Sequence, residues 1–329
     1  MPRKPRIEYP GALYHVMSRG DRQESIFLCQ EDRLRFLRAL GQACERTGWR
    51  IHSYVLMNNH YHLLLETPEG GLVKGMHWLQ TTYTVRFNLI HNLKGHIFQG
   101  RYKAIIIDPA EPEYFRMVGD YIHLNPARAA LLPSSKTPLE VFPWSSYPAI
   151  IGKALCPDWL VSERILSSHQ ASARGYAKYM QERAGACHER RDDDSEWDSI
   201  RRGWYLGSDE FHKDILQQLH KQIAPHKRES YSGAGVREHD EMAADLLLDR
   251  GLQKLHADLI EVRGWKSADP RKQALVWLIR SSTTASSGWL CSRLNIGHRS
   301  NISRATRQIR DAVRDDYKQL KELMLQCKD

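Results

Sequence analysis

An α+β fold is what this 329-residue chain predicts, with an antiparallel sheet in its first half and mostly helix after it. Three observations carry the prediction. Strand and helix signals alternate through the first 150 residues, and Asn58-Asn59 joins two strand-like runs as a tight turn. Beyond about residue 200 the spacing of apolar residues is helical nearly to the C-terminus.

Ala12 to Ser18 reads as a strand that places His15 and Met17 on one face. Glu31 to Arg46 sets Leu34, Leu37, Ala39 and Leu40 among charges, the pattern of an amphipathic helix. Trp49 to Met57 is a second strand, and Asn58-Asn59 turns it into a third that begins at His60. Leu72 to Leu93 is a helix, Tyr102 to Ile107 a fourth strand, and Glu111 to Asn125 a further helix with Pro112 in its first turn. The order β-α-β-β-α-β-α is the ferredoxin-like pattern with one added helix, an antiparallel sheet with helices on one face. The Pro-rich stretch Pro133 to Pro148 closes this domain, residues 1–150, with Trp144 and Tyr147 packing back onto it.

Residues 151–235 read as a helical linker region, with a charge run at Glu189–Asp194, a helix over Asp209–Gln222 and a Gly/Ser break at Ser230–Gly235. Residues 236–329 read as a helical C-terminal domain. Within it, Arg271 to Arg280 is a helix, Gly288 to Leu294 a short one, and Asn295 to His298 a turn. A last helix, capped by Ser300, gathers Arg304, Arg307, Arg310 and Arg314 on one face. This is a helix-turn-helix layout, whose second helix would enter the major groove of duplex DNA. An ordinary helical hairpin with a solvated basic face is the alternative, because Asp311, Asp315 and Asp316 dilute the charge.

A formal net charge of +9 favours an anionic partner, with nucleic acid first. No apolar run approaches the roughly 20 residues that span a bilayer, and the basic N-terminus lacks the apolar segment of a signal peptide. The six cysteines are scattered without a Cys-x-x-Cys pair, which argues against a zinc knuckle or a disulfide framework and for a cytoplasmic protein.

The chemistry concentrates in two segments. Along the third strand His60 and His62 lie two apart and present two imidazoles on one face, half of a divalent-metal site. On the helix that follows the fourth strand, Tyr121 and Asn125 lie four apart and share a face. Asn125 would complete a His-His-Asn set that leaves open positions for a phosphate oxygen. That set suits Mg²⁺ or Mn²⁺, though imidazoles also accept zinc. Tyr121 would then attack a DNA phosphate as a covalent nucleophile. Pro126 works against this geometry by biasing Asn125 away from the helix. Tyr102, between Arg101 and Lys103, is a rival nucleophile, and His123 points elsewhere on its helix as a structural residue. Arg19, Arg22, Arg101, Lys103 and Arg128 are candidates for positioning the DNA backbone.

Four motifs in order carry a family resemblance: Tyr14-His15-Val16-Met17-Ser18-Arg19-Gly20, Met57-Asn58-Asn59-His60-Tyr61-His62-Leu63-Leu64, Gly95-His96-Ile97-Phe98-Gln99-Gly100-Arg101-Tyr102-Lys103 and Tyr121-Ile122-His123-Leu124-Asn125-Pro126-Ala127-Arg128. Over about residues 5–150 the chain resembles the single-tyrosine HUH transposases, and within them the REP-associated tyrosine transposases. The resemblance implies His60 and His62 as metal ligands, Asn125 at the third-ligand position and Tyr121 as nucleophile. It further implies Mg²⁺- or Mn²⁺-dependent nicking and joining of single-stranded, hairpin-bearing DNA, by a monomer or a homodimer. Duplex DNA would be met through the C-terminal region, by Arg304, Arg307 and Arg310. A non-catalytic DNA-binding regulator built on the same fold is the second reading. An RNA-binding sheet is a third, disfavoured because the central strands carry histidines and aliphatics where stacking aromatics would be needed.

Overall fold

The structure is a computed structural model that describes residues 5–189, 197–223, 231–312 and 314–327. The charge run at 190–194 and Ser230 of the Gly/Ser break lie outside the described residues. The chain divides into two compact units, one of Arg6–Asp214 and one of Ile215–Asp329 together with Met1–Pro5.

The first unit opens with β1 (Ala12–Arg19), α1 (Gln30–Thr47), β2 (Arg50–Leu56), β3 (His60–Thr67), α2 (Leu72–His91), β4 (Lys103–Ile107) and α3 (Pro112–Arg128). It continues through α4 (Tyr147–Ile150), α5 (Glu163–Ser168), α6 (Ala173–Glu189), α7 (Asp198–Arg202) and β5 (Tyr205–Leu206), and α8 (Asp209–Ile223) runs across the division in sequence. The strand order is β2-β3-β1-β4-β5. The first four strands form the antiparallel, ferredoxin-like sheet expected, and β5 pairs with β4 in parallel, so the whole sheet is mixed. Two residues, paired through Ile106 and Ile107, are too short a strand to leave a periodic signal.

Asn58-Asn59 makes the expected hairpin, closed by Met57 N–H donating to the His60 carbonyl at 2.9 Å. Register then sets Met17 opposite His62 and Arg19 opposite His60. Because strand side chains alternate, Ser18 and Tyr61 point to one face and His15, Met17, Arg19, His60 and His62 to the other. On the first face α1 and α2 pack: the Phe36 ring lies 4.8 Å from that of Tyr61, and Gln80 donates to both Ser18 and Tyr61. The two helices of the ferredoxin-like pattern thus share a face, while the added helix α3 covers the opposite one, with Tyr121 against His15 and His62.

The sequence expectation that Pro126 draws Asn125 out of the helix does not hold. The helix α3 runs through Pro126 to Arg128. The proline ring removes one helix donor near the end of α3, and burial of Tyr121, Ile122, Leu124 and Ala127 holds the segment helical against that loss. Past α3 the Pro-rich stretch packs back on the sheet edge as expected. Leu56 N–H donates to the Trp144 carbonyl at 2.7 Å, Tyr54 N–H to Ser146 Oγ at 2.9 Å, and Tyr147 is buried.

The second unit holds α9 (Ala234–Leu255), α10 (Leu259–Gly264), α11 (Pro270–Ser282), α12 (Ser287–Leu294), α13 (Arg299–Arg310) and α14 (Asp315–Leu325). Its core centres on α11, whose Ala274 to Ile279 are all buried, with α9, α13 and α14 packed around it. Three details differ from the sequence reading. The N-cap of α13 is His298, whose Nδ1 accepts from Ser300 N–H at 3.2 Å, because Ser300 already has helical surroundings. Helix α13 stops at Arg310, and Arg314 caps a further helix, α14, where it pairs with Asp316 instead of joining the arginine face. Among the described residues no helix is long and apolar enough to cross a membrane.

Candidate active site

Between the sheet and the C-terminal half of α3 lies a cleft of about 510 Å³ lined by His60, His62, Tyr121, Asn125, Arg19, Arg101, Lys103 and Arg128, with Met17, Ser18, Gln99 and Ala129. The sequence motifs, drawn from between Met17 and Ala129, converge here for simple reasons. Register brings His60 and His62 beside Met17 and Arg19. The Gly95–Lys103 segment docks on the end of β1, with Gln99 N–H donating to the Arg19 carbonyl and Asp21 N–H to that of Ile97, both at 2.8 Å. The α-helical repeat places Tyr121, Asn125 and Arg128 on one face of α3.

Hydrogen bonds prepare each imidazole. Asn59 Nδ2 donates to the Gln23 carbonyl at 3.0 Å, so its Oδ1 faces His60 and accepts from His60 Nδ1–H at 2.8 Å. That leaves the lone pair of His60 on Nε2. His62 Nδ1 pairs with His15 Nε2 at 2.9 Å, with the rings stacked 5.1 Å apart. When His62 donates, its Nε2 is likewise a free base, and the proton of His15 sits on Nδ1, a buried nitrogen with no partner among the described residues. Burial, followed by Arg19, lowers the pKa of His60 to about 4. Burial and then Lys103 lower His15 to about 3, and burial with the neighbouring His15, His60 and Arg128 keeps His62 well below its usual value. All three imidazoles are therefore neutral near pH 7, the protonation state in which imidazole binds metals.

Asn125 Nδ2 donates to the Tyr121 carbonyl at 2.9 Å, which reserves its Oδ1 as an oxygen donor. Two imidazoles from the sheet and one amide oxygen from α3 line the same cleft, a donor set that could hold a divalent cation, and the bonds at both Nδ1 atoms would then orient the imidazoles. The other charges are all positive: Arg19, Arg101, Lys103 and Arg128 line the cleft and no carboxylate does, among the described residues. Such a wall attracts a polyanionic backbone.

Tyr121 is 5% exposed and opens into this cleft. Its ring lies 5.4 Å from His62 and 5.6 Å from His15, with the Arg128 guanidinium 4.7 Å from its centroid and the Trp197 ring 5.5 Å away. The rival Tyr102 does not line the cleft. It is buried beneath Arg6, whose guanidinium stands 3.4 Å from the ring centroid, and burial pushes its pKa up to about 12. His123 is structural as expected, held between Tyr176 OH and Ser146 Oγ at 2.8 Å each.

Of the expected DNA-positioning residues, Arg22 stays outside the cleft lining: it sits exposed in a turn with φ of 49°. Arg304, Arg307 and Arg310 are exposed on α13 of the second unit, with Arg310 paired to Asp311 at 2.8 Å. Sequence reasoning missed His15 as the partner of His62, although its place on the same strand face as Met17 was the signal. It also missed Gln99 and Trp197; nothing local in the sequence marks the latter.

Residues 9–125 match the family described as "Transposase IS200 like". Over that segment the chain is similar to the IS200-like transposases, in agreement with the resemblance carried by its four motifs. Among solved structures it is similar to a REP-associated tyrosine transposase bound to a REP hairpin, at 19% identity and a TM-score of 0.39, covering 49% of this chain and 92% of that one. No curated protein matches the chain.

Proposed function

We propose that the chain is a metal-dependent transposase that nicks and rejoins single-stranded, hairpin-bearing DNA through a phosphotyrosine intermediate on Tyr121. The observation that carries the reading is the cleft itself. One tyrosine, two neutral imidazoles with oriented Nδ1 bonds, one amide oxygen and four cations face the same space.

In this reading Arg19, Arg101, Lys103 and Arg128 bind the DNA backbone and bring a phosphodiester against Tyr121. The phenol oxygen forms a bond to phosphorus as the bond to the 3′ oxygen breaks; the phenol gives up its proton and the departing 3′ oxygen gains one. The product is a 5′-phosphotyrosine and a free 3′-OH, and attack by a 3′-OH reverses the step without ATP. His60, His62 and Asn125 would hold Mg²⁺ or Mn²⁺, whose charge would polarise the scissile phosphate. In the second unit α12, the turn Asn295–His298 and α13 present Arg304, Arg307 and Arg310 outward, a surface for duplex DNA beside the catalytic function.

The test uses purified protein, Mg²⁺ and end-labelled single strands covering the palindromes that flank its gene, resolved on a denaturing gel. A cleaved strand and a protein–DNA adduct are expected, both lost with Tyr121→Phe and with EDTA. An adduct that survives Tyr121→Phe but not Tyr102→Phe moves the nucleophile. Tight binding without cleavage under any divalent metal replaces the enzyme by a regulator.

A further inference from the structure

The residues behind Tyr121 come from outside the matched segment 9–125. Trp197, the N-cap of α7, is 3% exposed and faces the Tyr121 ring at 5.5 Å with an interplanar angle of 52°. Arg128 lies over both rings, 4.7 Å from the Tyr121 centroid and 5.5 Å from that of Trp197. Beyond the indole stands Arg183 of α6, 5.2 Å from its centroid. Arg183 donates to Tyr179 OH at 3.2 Å and lies 3.7 Å from Asp120, the residue preceding the nucleophile. Asp120 is buried and fully engaged, accepting from Tyr179 OH at 2.7 Å and pairing with His169 Nε2 at 2.9 Å.

We infer that Trp197 is a positioning residue for the nucleophile, fixing the Tyr121 ring between its own indole and the Arg128 guanidinium so that the phenol points into the cleft. This rests on the phosphotyrosine reading. A phenol ring turns about two side-chain bonds, and attack on phosphorus tolerates little misplacement: an error of about 1 Å costs on the order of 100-fold in rate. The histidine side bounds one edge of the ring. The indole and guanidinium bound the rest, through an aromatic pair and a cation–π contact that are each directional. Asp120, Tyr179 and Arg183 form the anchor that holds the indole and the backbone beside Tyr121 as one body. Trp197, with Arg183 behind it, thereby completes a catalytic site whose chemistry lies wholly upstream of both.

The experiment compares full-length wild type with Trp197→Ala, Trp197→Phe and Trp197→Leu in three measurements. These are the single-turnover rate of adduct formation with saturating Mg²⁺ and oligonucleotide, oligonucleotide Kd by fluorescence anisotropy, and Tyr121 nitration by tetranitromethane read by peptide mass spectrometry. Trp197→Ala is expected to slow adduct formation about 10- to 100-fold with Kd within about twofold, and to speed nitration several-fold. Trp197→Phe, which keeps a flat ring, should recover most of the rate; Trp197→Leu, which restores only apolar bulk, should not. Equal recovery by Phe and Leu, or an unchanged rate and nitration in Trp197→Ala, overturns the inference. A wild type that forms no adduct defeats the phosphotyrosine reading instead, while nitration still reports whether the indole holds the ring.

Discussion

Replacing His15 with phenylalanine should separate metal affinity from stability. His15 does not itself line the cleft; it is fully buried behind His62, its Nε2 paired with His62 Nδ1 at 2.9 Å, and in the tautomer that frees His62 Nε2 it is the acceptor. Without it the His62 Nδ1–H is left buried and unpaired, at a cost of about 1–3 kcal/mol, unless the ring turns or moves its proton to Nε2, the ligating atom. Loss of such an outer partner typically weakens metal binding about 10- to 100-fold, or about 1.4–2.7 kcal/mol, so the two estimates agree. Phenylalanine keeps the ring that contacts Tyr121 edge-on at 5.6 Å, and it removes the unpaired Nδ1 of His15, which offsets part of the lost hydrogen bond. Thermal stability without metal should therefore change little. The assay is titration with Mn²⁺, following free ion by electron paramagnetic resonance, beside a melting curve of the metal-free protein. Mn²⁺ affinity equal to wild type would refute the argument that His15 sets the His62 tautomer, as would an affinity loss fully matched by unfolding.

Two further predictions follow from the same geometry. Arg101→Gln and Lys103→Gln should each weaken single-stranded DNA binding and lower the slope of log K against log salt by about 0.7 per lost phosphate contact, measured by anisotropy between low and moderate salt; an unchanged slope would mean that these side chains meet no phosphate. His123 has its pKa lowered to about 3, chiefly by burial, against about 6.5 when unfolded. The unfolded chain therefore takes up a proton below about pH 6.5 that the folded chain refuses until about pH 3. This single group costs stability at about 1.4 kcal/mol per pH unit as pH falls through that window, with no effect above it. His123→Leu should be less stable at pH 7.5 by about 2–4 kcal/mol, since Tyr176 OH and Ser146 Oγ lose their partner, yet show a shallower acid slope in urea titrations. A parallel slope would show that His123 protonates freely in the native state.

Local periodicity placed the paired residues on the faces they occupy. The His60 and His62 pair shares a strand face because strands repeat every two residues, and Tyr121 shares a helix face with Asn125 because helices repeat every 3.6. Asn58-Asn59 marks the hairpin by turn chemistry alone. Where the sequence misled, a local rule met tertiary packing: Pro126 should disturb Asn125, but the buried face of α3 outweighs it, and Arg314 continues the arginine spacing only until α13 ends at Arg310.

By itself, then, the amino-acid sequence determined the element order, the shared strand face of His60 and His62, the shared helix face of Tyr121 and Asn125, and the net positive charge, because each of the local features depends on residues within one strand, turn or helix. Only the tertiary structure decided that α3 lies on the face opposite α1 and α2, that His15 sits behind His62, that Arg22 stays out of the cleft, and that Trp197 meets Tyr121 from 76 residues downstream. Those facts come from which elements share a face and which loops return to it. Packing of distant surfaces decides that, and no local periodicity records it.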